Sequence, residues 1–88
     1  VNAATEKLKL YQMQSCPYCM KVRMAMKELN LNIELRDINI NKDWEKELMS
    51  HGGKRQVPCL RLEEAGKYTW MYESMDIINY LQKHFLLY

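Results

Sequence analysis

Two thiols stand three residues apart in the run Ser15-Cys16-Pro17-Tyr18-Cys19, and such a pair admits three kinds of chemistry. It can cross-link the chain, ligate a metal, or exchange disulfides. The 88 residues hold three cysteines, an odd count, whereas small disulfide scaffolds carry an even set. A bridge closing so short a loop also removes little chain entropy, so a staple would hold little. Structural zinc takes four ligands, and this spacing supplies two. His51, Cys59 and His84 are the other candidates, without a second paired spacing. No metal site is expected. Disulfide exchange needs only the pair itself, one sulfur to attack and one to resolve.

The elements that must position the pair can be read on either side of it. Lys7–Met13 alternates, with Leu8, Leu10 and then Gln12 on one side and Tyr11 and Met13 on the other, which predicts a strand. Pro17 suits the first position of a helix, where its missing N–H costs nothing. From there to Asn30, Cys19, Val22, Met26 and Leu29 keep helical spacing, while Lys21, Arg23, Lys27 and Glu28 lie elsewhere on the wheel. Cys16 therefore falls at a helix N-terminus, where backbone N–H groups and the helix dipole favour a thiolate. That marks Cys16 as the nucleophile. Cys19, one turn in, is expected to be the more buried, less acidic resolving thiol.

Asn32–Asp37 alternates again, Ile33 and Leu35 against Glu34 and Arg36, as a second strand. Asn41 or Asp43 can cap a short helix over residues 42–51, with Trp44, Leu48 and His51 facing in and Gly52-Gly53 ending it. Val57–Glu63 reads as a third strand headed by Pro58, and Tyr68–Tyr72 as a fourth, joined by a turn over residues 64–67. Ser74 is expected to cap a last helix, with Asp76 in its first turn and Ile77, Ile78, Leu81 and Phe85 on its apolar face. The order β-α-β-α-β-β-α predicts an α/β domain. A right-handed βαβ crossover and a hairpin build a four-stranded mixed sheet flanked by three helices. Residues 1–6 read as a loose terminus and 7–88 as a single domain. Cys59 is expected to be a small buried strand residue.

The formal net charge of +2 is too mild for nucleic acid, and suits a small anionic ligand better. No apolar run reaches 18 residues, so no membrane span is expected, and no signal-peptide core is visible. Beginning at Val1 rather than Met, the sequence leaves room for an upstream leader or anchor.

Cys16-Pro17-Tyr18-Cys19 at a strand-to-helix junction, Val57-Pro58 before the third strand, and an acidic first turn on the last helix together resemble a dithiol glutaredoxin. The resemblance runs from about Lys7 to Phe85 and implies the thioredoxin fold. Where glutaredoxins commonly carry Gly-Gly, this chain has Tyr72-Glu73-Ser74-Met75-Asp76-Ile77. That Glu-Ser turn is similar to the N-terminal domain of glutathione transferases, which use it to hold the γ-glutamyl group of glutathione. Bacterial glutaredoxin-like proteins carry such an ending.

The resemblance implies a glutathione-dependent thiol–disulfide oxidoreductase acting through Cys16 and Cys19 on glutathionylated or disulfide-bonded proteins. Glutathione is a co-substrate, with no tightly bound cofactor. It implies a cis Val57–Pro58 bond whose backbone groups meet the ligand as an added strand does. Ser74 would take a carboxylate, Glu73 or Asp76 the α-amino group, and Arg55, with Gln14 or Lys54, the glycine carboxylate. Tyr18 would wall the cysteinyl part. Many glutaredoxins have a lysine where Met13 and Gln14 stand here. A monomer in the cytoplasm is expected, since reduced glutathione chemistry belongs there. Two alternatives keep the fold: a reductase fed by thioredoxin reductase, and a non-catalytic module binding glutathione or a [2Fe–2S] cluster through Cys16.

Overall fold

The computed structural model describes residues 7–85; the expected loose segment over 1–6 and the last three residues of the expected domain lie outside the described residues. Strand β1 (Leu8–Gln12) runs into helix α1 (Pro17–Glu28), followed by β2 (Glu34–Asp37) and α2 (Lys42–Glu47). A single π-type turn over Leu48–Gly52 continues α2. The hairpin β3 (Cys59–Glu64) and β4 (Lys67–Met71) then leads to α3 (Ser74–Phe85). The expected element order is present, with each strand one to three residues shorter or shifted at its ends.

Local chemistry starts and stops each piece. Pro17 opens α1, and Asn30, at φ 57°, turns the chain out of it. Asn41, rather than Asp43, caps α2 by accepting from the Asp43 N–H at 2.9 Å. Gly53, at φ 95°, ends the π-type turn. Ser74 is the first residue of α3 and not its cap. Glu73 takes the cap position, its carbonyl accepting the Ile77 N–H at 2.9 Å.

The strand order is β2-β1-β3-β4. β1 runs parallel to β2, as the helical crossover demands, and antiparallel to β3. Side chains alternate across this sheet. Leu8, Leu10, Leu60 and Leu62 face α1 and α3, where Val22, Met26, Ile77 and Leu81 complete one core. Tyr11 and Cys59 face the other way, onto Leu48 and the partly buried Trp44 beside α2. The Tyr11 hydroxyl donates to Glu47, which also accepts from Arg36 at 2.6 Å, tying α2 to the sheet. Burial, joined by the Glu47 bond, pushes that hydroxyl up to about 12.

Leu35 shares the face of the buried Ile33, yet it is 39% exposed, because β2 is an edge strand. One inward assignment is corrected. His51 points to solvent, since the π-type turn rotates it off the inner side of α2. No helix among the described residues is long and apolar enough to cross a membrane.

The hairpin turn offers a stability test. Ala65 and Gly66 lie at φ 52° and 78°, between the paired Glu64 and Lys67. Two positive φ values in a two-residue loop favour Asn-Gly. Alanine pays a steric cost there that asparagine largely avoids. Ala65→Asn is expected to raise unfolding stability by about 0.5–1 kcal/mol in urea denaturation. A loss would show that the turn is not of this type.

Candidate active site

The strand register gathers the candidate residues at one end of the sheet. Gln12 ends β1 opposite Asp37, the last residue of β2. Tyr11 pairs with Cys59 at the start of β3, and Leu60 pairs with Met71 at the end of β4. The Cys16 loop, Val57-Pro58 and the head of α3 therefore leave the sheet at the same end. The Val57–Pro58 peptide bond is cis, as the resemblance implied.

Cys16 is the cap residue of α1, with extended backbone. Its carbonyl accepts from Met20 at 3.0 Å, and its sulfur accepts the Cys19 N–H at 3.4 Å. This is the place of a capping serine, taken by sulfur: the Cys19 N–H, in the first turn, faces an atom that can carry negative charge. Cys16 is partly exposed, whereas Cys19 is fully buried one turn in. Burial pushes the Cys19 thiol up to about 12. The two thiols are free and adjacent, one reachable and one sheltered. The third cysteine, Cys59, is fully buried as expected, and burial pushes its thiol up to about 12 as well.

The loop before Cys16 is clamped from both sides. Asp37, itself buried, accepts the Gln14 N–H at 3.1 Å. Arg23 reaches back from α1 to donate to the Gln14 carbonyl at 3.0 Å, the Met13 carbonyl at 3.4 Å and the buried Gln12 side chain. The Cys16 N–H closes a turn onto the Met13 carbonyl at 3.2 Å. Sequence reasoning missed Gln12, Arg23 and Asp37 as site-forming residues. The available signals were a polar residue at an inward position of β1 and an arginine four residues after Cys19.

The expected ligand residues divide by their surroundings. Tyr18 is 59% exposed beside Cys16, with the Lys21 ammonium 5.7 Å from its ring centre. Val57 is half-buried and Pro58 buried. Glu73 and Asp76 are exposed at the head of α3, and Ser74 between them is half-buried. The Gln14 side chain is exposed, while both its backbone groups serve the loop clamp.

Arg55 is not idle: its Nε sits 2.7 Å from a Glu45 oxygen of α2 and holds that carboxyl below the usual carboxylate range. The Lys54 ammonium lies 4.7 Å from the Tyr72 ring centre, and the Tyr72 hydroxyl donates to the Lys54 carbonyl at 3.2 Å. These contacts hold Lys54 against Tyr72, just beyond β4, and draw Arg55 to α2.

Residues 10–86 match the family described as Glutathione S-transferase, N-terminal domain. Glutaredoxin 2 of Escherichia coli strain K12 is 40% identical over 76 residues, which is 86% of this chain and 33% of that protein. The chain thus spans about a third of the length of the curated relatives it matches. Maleylacetoacetate isomerase from Anaeromyxobacter dehalogenans 2CP-1, solved with GSH bound in its active site, superposes with a TM-score of 0.69 at 26% identity. That alignment takes in 90% of this chain and 38% of the isomerase. A trimeric glutathione transferase from Leishmania gives 0.71 at 27% identity, over 90% of this chain and 18% of that one. The family match runs through the cysteine loop, the Val57-Pro58 bend and the head of α3 alike, so the chain belongs to the glutathione S-transferase N-terminal domain family, within which it is similar to a glutaredoxin.

Proposed function

We propose that this chain carries the redox site of a glutathione-dependent thiol–disulfide oxidoreductase. The observation that supports it most is the unequal dithiol, with Cys16 capping α1 and Cys19 buried one turn behind it. A simple conjugating enzyme has no use for a second, sheltered thiol held against the first.

In the one-thiol route the Cys16 thiolate attacks the glutathione sulfur of a protein–glutathione mixed disulfide. The Cys16–glutathione disulfide forms and the protein leaves as a thiolate. A second glutathione thiolate then attacks the bound glutathione sulfur, which yields glutathione disulfide and restores Cys16. In the two-thiol route Cys16 attacks a protein disulfide and Cys19 resolves the intermediate. The rate of each step follows the thiolate fraction of the attacking sulfur and the acidity of the leaving one.

Glutathione lies in this reading along the shared end of the sheet. The Val57 backbone pairs with its cysteinyl backbone beside Pro58, and Tyr18 walls it on the other side. Ser74 and the N–H groups of the first turn of α3 receive the γ-glutamyl carboxylate, and Glu73 or Asp76 its amino group. Arg55, with Gln14, meets the glycine carboxylate, for which Arg55 must share or leave Glu45.

Turnover of a glutathionylated peptide by the wild type separates the readings by electron donor. The expected result is turnover that depends on glutathione and is not supported by thioredoxin reductase. Turnover with the reductase alone would replace the glutathione reading with a thioredoxin-like one. Conjugation of glutathione to an electrophile, with no reduction of the peptide, would replace it with a transferase.

A further inference from the structure

The helical wheel assigns Arg23 to the solvated face of α1, yet the side chain is half-buried and turned back toward the start of the helix. Side chains on a helix lean toward its N-terminus, so a residue four places after Cys19 covers the turn that Cys19 occupies. The guanidinium there reaches three acceptors at once: the Gln12 side chain and the Met13 and Gln14 carbonyls. Gln12 is 2% exposed, so this fork enters the floor of the cysteine loop and does not lie on its surface.

Met13 is the hinge of this arrangement. Its carbonyl accepts from Arg23 at 3.4 Å and from the Cys16 N–H at 3.2 Å. Four residues apart on one helix, Cys19 and Arg23 are neighbours on its surface, and the Arg23 fork ties that surface to the loop that carries Cys16. We propose that Arg23 is a positioning residue for the resolving step, holding the loop beneath Cys19 and supplying the positive charge against which the Cys19 thiolate forms. The inference rests on the dithiol reading of the site.

The step itself balances without a further reactant. A disulfide substrate, the oxidant, has left one of its sulfurs on Cys16. The Cys19 thiol gives its proton to solvent, and the thiolate attacks the Cys16 sulfur. The Cys16–Cys19 bond forms, the bond from Cys16 to the substrate sulfur breaks, and the substrate leaves as a thiolate. Two electrons have then passed from the dithiol to the substrate.

Proton loss is the difficult part. Burial opposes a charged sulfur at Cys19. The hydrogen bond from the Met13 backbone and the charge of Arg23 act in the other direction. The ionisable groups acting on Cys19 are Cys16 at the head of the same helix, which opposes its ionisation, and Arg23. The segment nearest the site supplies the uncharged Gln12, at the end of β1, and Met13 just after it, and from α3 the core residues are the apolar Ile77 and Leu81. Asp37 acts one step away, through the Gln14 N–H. An arginine suits the role because it stays charged while its planar fork serves several fixed acceptors.

The test follows closure of the pair, not overall turnover. An aromatic disulfide reagent that releases a coloured thiolate reacts first with Cys16. A second equivalent of thiolate leaves when Cys19 closes onto Cys16, and its rate is recorded against pH for the wild type, Arg23→Lys and Arg23→Gln. Glutamine keeps hydrogen-bonding capacity without charge, and lysine keeps charge without the fork.

Closure by Arg23→Gln is expected to be about tenfold slower at neutral pH, with its profile displaced by about one unit to higher pH. Arg23→Lys, which keeps the charge and loses the fork that serves Gln12, Met13 and Gln14, should fall between the two, slower than the wild type and faster than Arg23→Gln. Circular dichroism on each variant shows that it is folded. Superimposed profiles for wild type and Arg23→Gln would overturn the role of the charge, as would an Arg23→Lys as slow as Arg23→Gln. Should the wild type release no second equivalent, the dithiol reading falls, and this inference with it.

Discussion

Cys16→Ser is expected to lower glutathione-dependent turnover of a glutathionylated peptide by more than about a thousandfold, since the group that forms the covalent intermediate is gone. Serine keeps the cap, because its hydroxyl can accept the Cys19 N–H that the sulfur accepts now. The fold should therefore survive, and the loss reads chemistry alone. Cys19→Ser is expected to stay within about tenfold of wild type on the same peptide, where glutathione does the resolving. On a protein disulfide it should instead accumulate a covalent Cys16–substrate adduct, visible by mass spectrometry. Brief alkylation of the wild type should mark Cys16 ahead of Cys19 and Cys59, both fully buried and both pushed up to about 12. An active Cys16→Ser beside a dead Cys19→Ser would reverse the two roles.

What the sequence could announce about this site is local. Pro17 between a strand pattern and a helix pattern is enough to put Cys16 on a helix cap, because the proline fixes the start of the helix within a residue. The inward leucines of β1 and β3 declare their face by alternation alone. Alternation says nothing about position in the sheet, and so it could not show that Leu35, on the face of Ile33, is left exposed at an edge. Ser74 has the character of a cap, yet the chain enters α3 one residue earlier, at Glu73. Least legible were the groups that join distant segments. Nothing near Arg55 in sequence names Glu45 as its partner, and nothing near Arg23 names the floor of the loop. Those pairings exist only once β1, β2 and the helices have assembled, which is why the nucleophile could be named from its motif and its supports could not.

Asp37→Ala is expected to cost about 3 kcal/mol of unfolding stability, several times the effect of an ordinary surface substitution. One carboxylate oxygen accepts the Asn39 N–H at 2.8 Å and the Ile40 N–H at 3.2 Å, and the other accepts the Gln14 N–H at 3.1 Å. The acceptor is 7% exposed while Gln14, Asn39 and Ile40 are themselves exposed, so water replaces part of what the donors lose and the cost falls mainly on the order of the two loops. The backbone around it does not fail with it: the Asp37 carbonyl still accepts from Asn41 at 3.1 Å, and the Gln12 carbonyl from Ile38 at 3.1 Å. The sheet should therefore persist while the turn after β2 and the cysteine loop loosen together. Asp37→Asn separates those two consequences. An amide oxygen can still serve Asn39 and Ile40, but the amide nitrogen then meets the Gln14 N–H donor to donor. Its expected cost is smaller, about 1–2 kcal/mol, and falls on the loop. Hydrogen exchange should show faster opening at Gln14 and Cys16 in Asp37→Asn, with Asn39 still protected, and at Gln14, Cys16 and Asn39 in Asp37→Ala, where Ile40 keeps its bond to the Asp37 carbonyl at 3.2 Å. Equal protection of Gln14 in Asp37→Asn and the wild type would mean that Arg23 alone holds the loop, and that β2 contributes no support to the thiol pair.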